Sequence, residues 1–271
     1  MPETIFILND WLQDQADFRK KLLLVQKSPE KNALHDLRVA IKKMRALLEL
    51  YILLSGEKLM EDPLHKTKEL FKTVGKQRDL EICLECLEKY KRDSGVLLPE
   101  SKAYFENILQ KARQWTTEAV KAYSNKEPGR IKTLLSGEKE MLSSEQIVSK
   151  AIQIILAELM VAEGLYRLPH KLRQHLKKIF YWVKTLPGNL QDWLYEKDLH
   201  QLCNDLGIWQ DNDMFINKIK HFRKDILPAT HFEYQQIKYM QETMVHQQQQ
   251  LLKSSLQETK RLLKKIKSLS E

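Results

Sequence analysis

Leu34-His35-Asp-Leu37-Arg38-Val-Ala-Ile41-Lys42-Lys43-Met44-Arg45-Ala-Leu-Leu48-Glu49-Leu-Tyr51 is the stretch whose reading decides the fold. At about 100° per residue, His35, Arg38, Lys42 and Arg45 share an arc of roughly 80° on a helical wheel. On the same wheel Leu37, Ile41, Met44, Leu48 and Tyr51 gather about 190–200° from His35 and form the core face of an amphipathic helix. The basic stripe therefore runs beside the core face, not opposite it. No acidic residue occupies the four stripe positions, although Asp36 and Glu49 lie near them.

Working outward, Pro and Gly punctuate a chain that otherwise carries apolar residues at helical spacing. Pro29, Gly56 to Pro63, Gly95 to Pro99, Pro128 with Gly129, Gly137, Pro169, Pro187 with Gly188, and Pro228 mark breaks. They predict helices over roughly 4–26, 30–54, 63–92, 99–124, 143–165, 169–186, 190–222 and 229–268, with a loop near 125–142. Gly75 and Gly207 fall inside the third and seventh helices and predict a bend or break in each, since glycine costs about 1 kcal/mol relative to alanine in a helix. Only 8 Gly and 8 Pro occur in 271 residues, which excludes collagen-like and linker-like chains and disfavours a turn-rich β-sandwich.

Four helices on each side of the loop invite a search for an internal repeat. A shift of 135 aligns His35 with His170, Leu37 with Leu172, Arg38 with Arg173, Ile41 with Leu176, Lys42 with Lys177 and Lys43 with Lys178. A shift of 132 aligns Val74-Gly75-Lys-Gln-Arg78-Asp79 with Leu206-Gly207-Ile-Trp-Gln210-Asp211. Two strings matched in the same order argue for duplication of a four-helix unit. The second stripe comprises His170, Arg173, Lys177 and Lys184. The expected fold is all-α, two pseudo-symmetric four-helix repeats packed around a basic groove or pore. A single domain over 1–271 is expected, with repeat 1 at about 1–127 and repeat 2 at about 140–271.

Charge and composition narrow the chemistry. The formal net charge is +9 and hydrophobic residues make up 42%, so the chain is neither a membrane span nor disordered, and an anionic partner is favoured. A single Lys/Arg stripe is ordinarily a solvated face. Its recurrence without acids, twice headed by histidine, favours anion recognition instead. A histidine ring can bond a phosphate oxygen, and a polyanion would hold it protonated. Cys83, Cys86 and Cys203 are too few and too oddly numbered for a disulfide framework, and Met1 to Trp11 lacks a basic, apolar leader, so a cytoplasmic location is expected.

LHDLRVAIKKMRALLELY (34–51) followed by VGKQRDLEICLECL (74–87) resembles the CHAD family, the conserved-histidine α-helical domain. LPHKLRQHLKKIFYWVKTL (168–186) and LHQLCNDLGIWQD (199–211) are similar to its second-half motifs. The resemblance implies two four-helix repeats and binding of inorganic polyphosphate through basic residues lining a central groove or pore. Some family members accompany polyphosphate granules or are joined to triphosphatase domains, so granules or a polyphosphate-metabolising enzyme are the implied partners. Carried over by position, the binding role falls on His35, Arg38, Lys42, Arg45, His170, Arg173 and Lys177.

The chain departs from the family where a basic residue is common ten positions after the second histidine; Phe180 stands there, followed by Tyr181. Lys184 can return part of that charge, and Arg78 is a weaker candidate beside Asp79. Asp79 and Asp211 are expected as structural caps or pairs, because carboxylates facing a polyanion repel it. Pro169 places His170 in the first turn of a helix, where backbone N–H groups also attract anions.

Clustered carboxylates to hold Mg²⁺ do not stand out, and Glu138-Lys-Glu140-Met-Leu142 fails the Glu-x-Glu-x-Lys pattern of the triphosphatase partners. A binding module is expected, with no catalytic residue, cofactor, metal or membrane. Cys83-x-x-Cys86 reads as core packing, and His200 with Cys203 lacks further zinc ligands. Gln247 to Gln250 reads as a polar helix face, and Lys260 to Lys267 as a source of nonspecific anion affinity. The competing readings are a nonspecific nucleic-acid binder, which no recognisable motif supports, and a helical interaction scaffold.

Overall fold

The computed structural model describes residues 5–56, 64–123 and 144–270. The expected loop over 125–142, with Glu138 and Glu140, lies outside these residues, as does the stretch between Gly56 and Leu64. Only helices and their connections occur among the described residues. They are α1 (Ile5–Lys27), α2 (Lys31–Ser55), α3 (His65–Ser94), α4 (Pro99–Ala122), α5 (Ser144–Val161), α6 (Pro169–Val183), α7 (Gly188–Trp193), α8 (Glu196–His221) and α9 (Phe232–Ser270). A 3₁₀ turn (Ala162–Leu165) ends α5, and a π turn (Phe222–Ile226) ends α8.

Punctuation by Gly and Pro explains most boundaries. Gly56 and Gly95 close α2 and α3 in the left-handed region, at φ 70° and 74°, with their N–H groups donating to Ile52 and Lys91 carbonyls. Pro99 and Pro169 each occupy the first turn of their helices, where a missing N–H costs nothing. Two expectations need correction. Helices α3 and α8 run unbroken through Gly75 and Gly207: Gly75 makes room for the Arg38 guanidinium from α2, while Arg173 approaches Gly207 only to ordinary contact distance, and neither glycine is a hinge. The expected helix 190–222 is divided between α7 and α8 at Tyr195, which adopts a left-handed φ of 54° without being glycine.

Helix pairs α1/α2, α3/α4 and α8/α9 pack along their lengths, while α2 meets α6 and α3 meets α8 across the two halves of the chain. The larger core includes Leu37, Ile41 and Met44 from α2 and Leu172, Leu176 and Ile179 from α6, all fully buried. A second core joins Leu80, Cys83 and Phe105 to Phe215, Ile219 and Met240. Buried hydrogen bonds are among the contacts that tie the halves together. The Trp182 indole N–H donates to the Ala46 carbonyl at 2.6 Å, with the ring wholly buried. The buried Glu233 carboxylate caps α4, accepting from the Glu100 and Ser101 N–H groups and the Ser101 hydroxyl at 2.6, 3.0 and 2.6 Å. This carboxylate meets the positive end of the α4 dipole, so its burial is compensated.

Trp182→Phe removes the indole bond and part of the ring volume at the α2/α6 seam. It should cost about 1–3 kcal/mol in urea unfolding, and Trp182→Ala about 3–5 kcal/mol.

Candidate anion-binding cleft

Because each basic stripe adjoins a core face, packing α2 on α6 carries both stripes to the edge of the same seam. A cleft of about 980 Å³ opens there. Its α2 wall includes His35, Lys42 and Lys43, its α6 wall Arg173 and Lys177 with Lys184 just past the helix end, and its α8 wall Gly207 and Asp211. Asp10 and Asp14 from α1 and Glu196 from α8 line it too, so the charge is mixed along the cleft.

The mixture has an order. Lys184 sits 3.4 Å from Glu196, and Lys43 acts electrostatically on Asp14, whose pKa burial lifts to about 6. These opposed pairs offset each other's charge. Lys42, Arg173 and Lys177 form no ion pair with a carboxylate among the described residues, and they repel one another. Burial first, then Arg173, Arg38 and Lys177, press the Lys42 pKa down to about 7, opposed only in part by Asp211. Lys177 is lowered as well, by burial and by Arg173. Such like charges in a partly desolvated cleft are stabilised by an anion between them.

The two arginines of the aligned strings are seated alike against the two glycines. A Cβ on Gly75 would clash with Arg38 Nη1 and stand 3.2 Å from Cζ. The Arg38 guanidinium donates through Nη1 to the Phe71 carbonyl at 2.9 Å and lies 4.1 Å above the Phe71 ring. Arg173 lies more loosely, with Nε and Nη2 both 3.9 Å from the place of a Gly207 Cβ. Its buried Nε has no hydrogen-bond partner among the described residues, in a group that ordinarily finds one. Arg38 is thus committed to α3, whereas Arg173 keeps donors for a ligand.

The other sequence candidates divide. His35 lines the cleft, its pKa lowered by burial and then by Arg78. His170 begins α6 as Pro169 requires, but its ring stands 3.2 Å from Asp213 and 4.6 Å from the Trp209 ring centroid. Arg45 is exposed and lies outside the cleft lining. Arg78 donates to Glu85 at 2.8 Å, so it serves its own helix. Asp79 and Asp211 are interior helical residues and not caps; burial raises both pKa values, and Arg38 and Arg173 respectively oppose that rise most strongly.

Sequence reasoning missed Lys43, Asp14 and the glycine seats. The signal for the seats was present: Gly75 and Asp79, like Gly207 and Asp211, are four apart and therefore share a helix face. Phe180, at the departing position, is buried under Lys177, 4.5 Å from its ring centroid, and stacks on His200 at 5.0 Å. Cys83 and Cys203 are buried, and Cys83 contacts the Met214 sulfur at 3.8 Å.

The model of the CHAD domain family matches residues 12–220. Among curated proteins none matches the chain. The fold is similar to the crystal structure of the CHAD domain from the plant Ricinus communis, with a TM-score of 0.70 and 14% identity. That likeness covers 95% of this chain and 92% of the other, and at such identity it speaks for the fold alone.

The difference between the two seats is measurable. Gly207→Ala meets only ordinary contacts and should stabilise α8 by about 0.5–1 kcal/mol. Gly75→Ala must displace the Arg38 guanidinium from its carbonyl and ring, so that gain should be cancelled or reversed by about 1 kcal/mol. Paired denaturant titrations of the two variants read the contrast directly.

Proposed function

The chain belongs to the CHAD family, and from that premise we propose that it is a binding module for inorganic polyphosphate. The observation that carries this reading is the meeting of Lys42, Arg173 and Lys177, drawn from both halves of the chain, in one cleft where none of them closes an ion pair with a carboxylate among the described residues. A linear polyphosphate carries roughly one charge per internal phosphate and no bases. Its recognition needs fixed cationic donors and no stacking platform.

In this reading Arg173 supplies directed guanidinium bonds, and Lys42 and Lys177 supply charge that follows the chain as it shifts. Arg38 acts from its seat on α3, adding potential without leaving the Phe71 carbonyl. Asp211 stands near enough to offset the charge on Arg173 in the empty cleft, and phosphate takes over that task on binding. His35 lines the cleft beside them and becomes a donor once an anion favours its protonation. Lys184, Arg45, His170 and Arg78 contribute long-range potential only, since each is exposed away from the three-cation cluster or already paired. No catalytic role is assigned to any residue, and the module would recruit its partners, a polyphosphate granule or a polyphosphate-metabolising enzyme, by holding the polymer. Three free thiols suit a reducing compartment such as the cytoplasm.

Titration with long-chain polyphosphate against duplex DNA as competitor tests the reading. Arg173→Ala with Lys177→Ala should weaken polyphosphate binding about 100-fold, at about 1.5 kcal/mol or more for each charged contact. About three phosphate contacts imply a loss of roughly twentyfold to fortyfold in affinity between 50 and 200 mM salt. Equal binding by the folded double variant, or equal potency of DNA per phosphate, would overturn it.

A further inference from the structure

Lys42 occupies an unusual position in the cleft. It lies on the middle turns of α2, which packs against α1, α3, α5 and α6; from α1, Asp10 and Asp14 line the same cleft, and Asp14 interacts with the adjacent Lys43. Arg38 stands one turn before it on α2. From α6 come Arg173 and Lys177. From α3 come Asp79 and the Phe71 ring, whose centroid is 5.9 Å from the ammonium nitrogen. From α8 comes Asp211. Three cations therefore face it against two carboxylates, and neither carboxylate closes an ion pair with it among the described residues. By contrast Lys178, one position after its aligned counterpart, is paired with Glu49 and Glu158 at 2.8 and 3.2 Å.

An ammonium so placed has two unfavourable alternatives to weigh. Keeping its proton leaves a fourth like charge in a partly desolvated cluster; losing it near pH 7 relieves that repulsion at the cost of the amine's ordinary affinity for a proton. A polyanion changes that balance, because phosphate oxygens between α2 and α6 are opposed to all four cations together. We infer that the cleft takes up a proton when a polyanion enters, with Lys42 as the principal acceptor, so that affinity is governed by pH as well as by salt. This inference rests on the polyphosphate reading of the cleft.

The direction and size follow by linkage. With a free-state value of about 7, Lys42 is about one-quarter protonated at pH 7.5, so full protonation in the complex takes up about three-quarters of a proton. The Lys42 contribution to affinity then levels off below about pH 6 and falls by up to about tenfold per pH unit above pH 7. The cleft holds its polymer in neutral or mildly acid conditions and releases it as pH rises. His35, lowered from its ordinary value, and Asp14, at about 6, are largely unprotonated in the free protein at pH 7.5 to 8.5. Any uptake at those groups, or at Lys177, survives replacement of Lys42.

Calorimetric titration of the full chain with long-chain polyphosphate, at pH 7.5 in Tris and in Hepes at equal ionic strength, counts the protons from the difference in heat. The native protein should take up about 0.75 proton, and Lys42→Arg, which keeps its charge at every accessible pH, should bind with most of that uptake gone. Tight binding with less than about 0.2 proton taken up, or the same uptake in Lys42→Arg, overturns the inference and leaves the polyphosphate reading standing. Failure of the native protein to bind at all overturns both. Should Lys42→Arg not fold, nitrogen-detected NMR of the native lysines decides: one amine must titrate near neutrality in the free protein and move at least one pH unit higher with polyphosphate. An amine unmoved by the polymer contradicts the proposal.

Discussion

Like charges held beside a hydrophobic seam are the constraint on which this molecule turns. Lys42, Arg173 and Lys177 adjoin the core faces of α2 and α6, so packing those helices brings mutually repelling groups together and partly removes them from water. The apolar contacts of Ile41, Met44, Leu172 and Leu176 drive the packing, and the buried Trp182 bond to Ala46 fixes its register. The repulsion is a cost carried by the folded state. For Lys42 the unfolded chain holds its proton up to the ordinary lysine value, whereas the fold releases it near 7. That cost is therefore full below pH 7 and fades as pH rises toward 10.5. A ligand of opposite charge removes it, which couples binding to stability.

The two halves share a plan but divide the work. Each places an arginine across a glycine on a neighbouring helix, and each sets an aspartate one turn beyond that glycine. The side chain preceding the glycine by one turn then separates them. In the first half it is Phe71, whose ring and carbonyl both receive the Arg38 guanidinium. In the second it is Cys203, small and buried, with its thiol pushed up to about 12 and hence neutral. Arg173 has no comparable platform, and its Nε stays unpartnered. One arginine is bonded into the wall and the other keeps an unpartnered donor, a difference that follows from a single aligned position.

Helical periodicity made the core faces legible, and with them the placement of both stripes, because a stripe adjoining the core must emerge at the edge of the helix–helix seam. What periodicity cannot show is which partner fills a gap. Gly75 and Gly207 read as breaks since local propensity counts only the missing side chain, not the helix packing around it, which at Gly75 includes the Arg38 guanidinium. Tyr195 gave no local sign of a left-handed turn. The Glu233 cap on α4 joins residues 132 and 133 positions apart, and no spacing rule links them. The partners of the stripe residues His170 and Lys184 and of the weaker candidate Arg78, namely Asp213, Glu196 and Glu85, could be assigned only from the fold. Charge patterning identifies a face; packing decides which of its charges remain unspent.

On the polyphosphate reading, the small number of unspent charges has a further consequence. Lys184 with Glu196 and Lys43 with Asp14 neutralise the cleft away from the Lys42, Arg173 and Lys177 cluster, so the grip spans only a few phosphates. A short grip is weak on any one segment. A linear polymer of identical units offers it many equivalent registers, and release of one segment leaves its neighbours at high local concentration for recapture. Affinity per chain then rises with polymer length although no new contact forms. A site built from three cations can therefore distinguish a long polyphosphate from a short one without measuring its length.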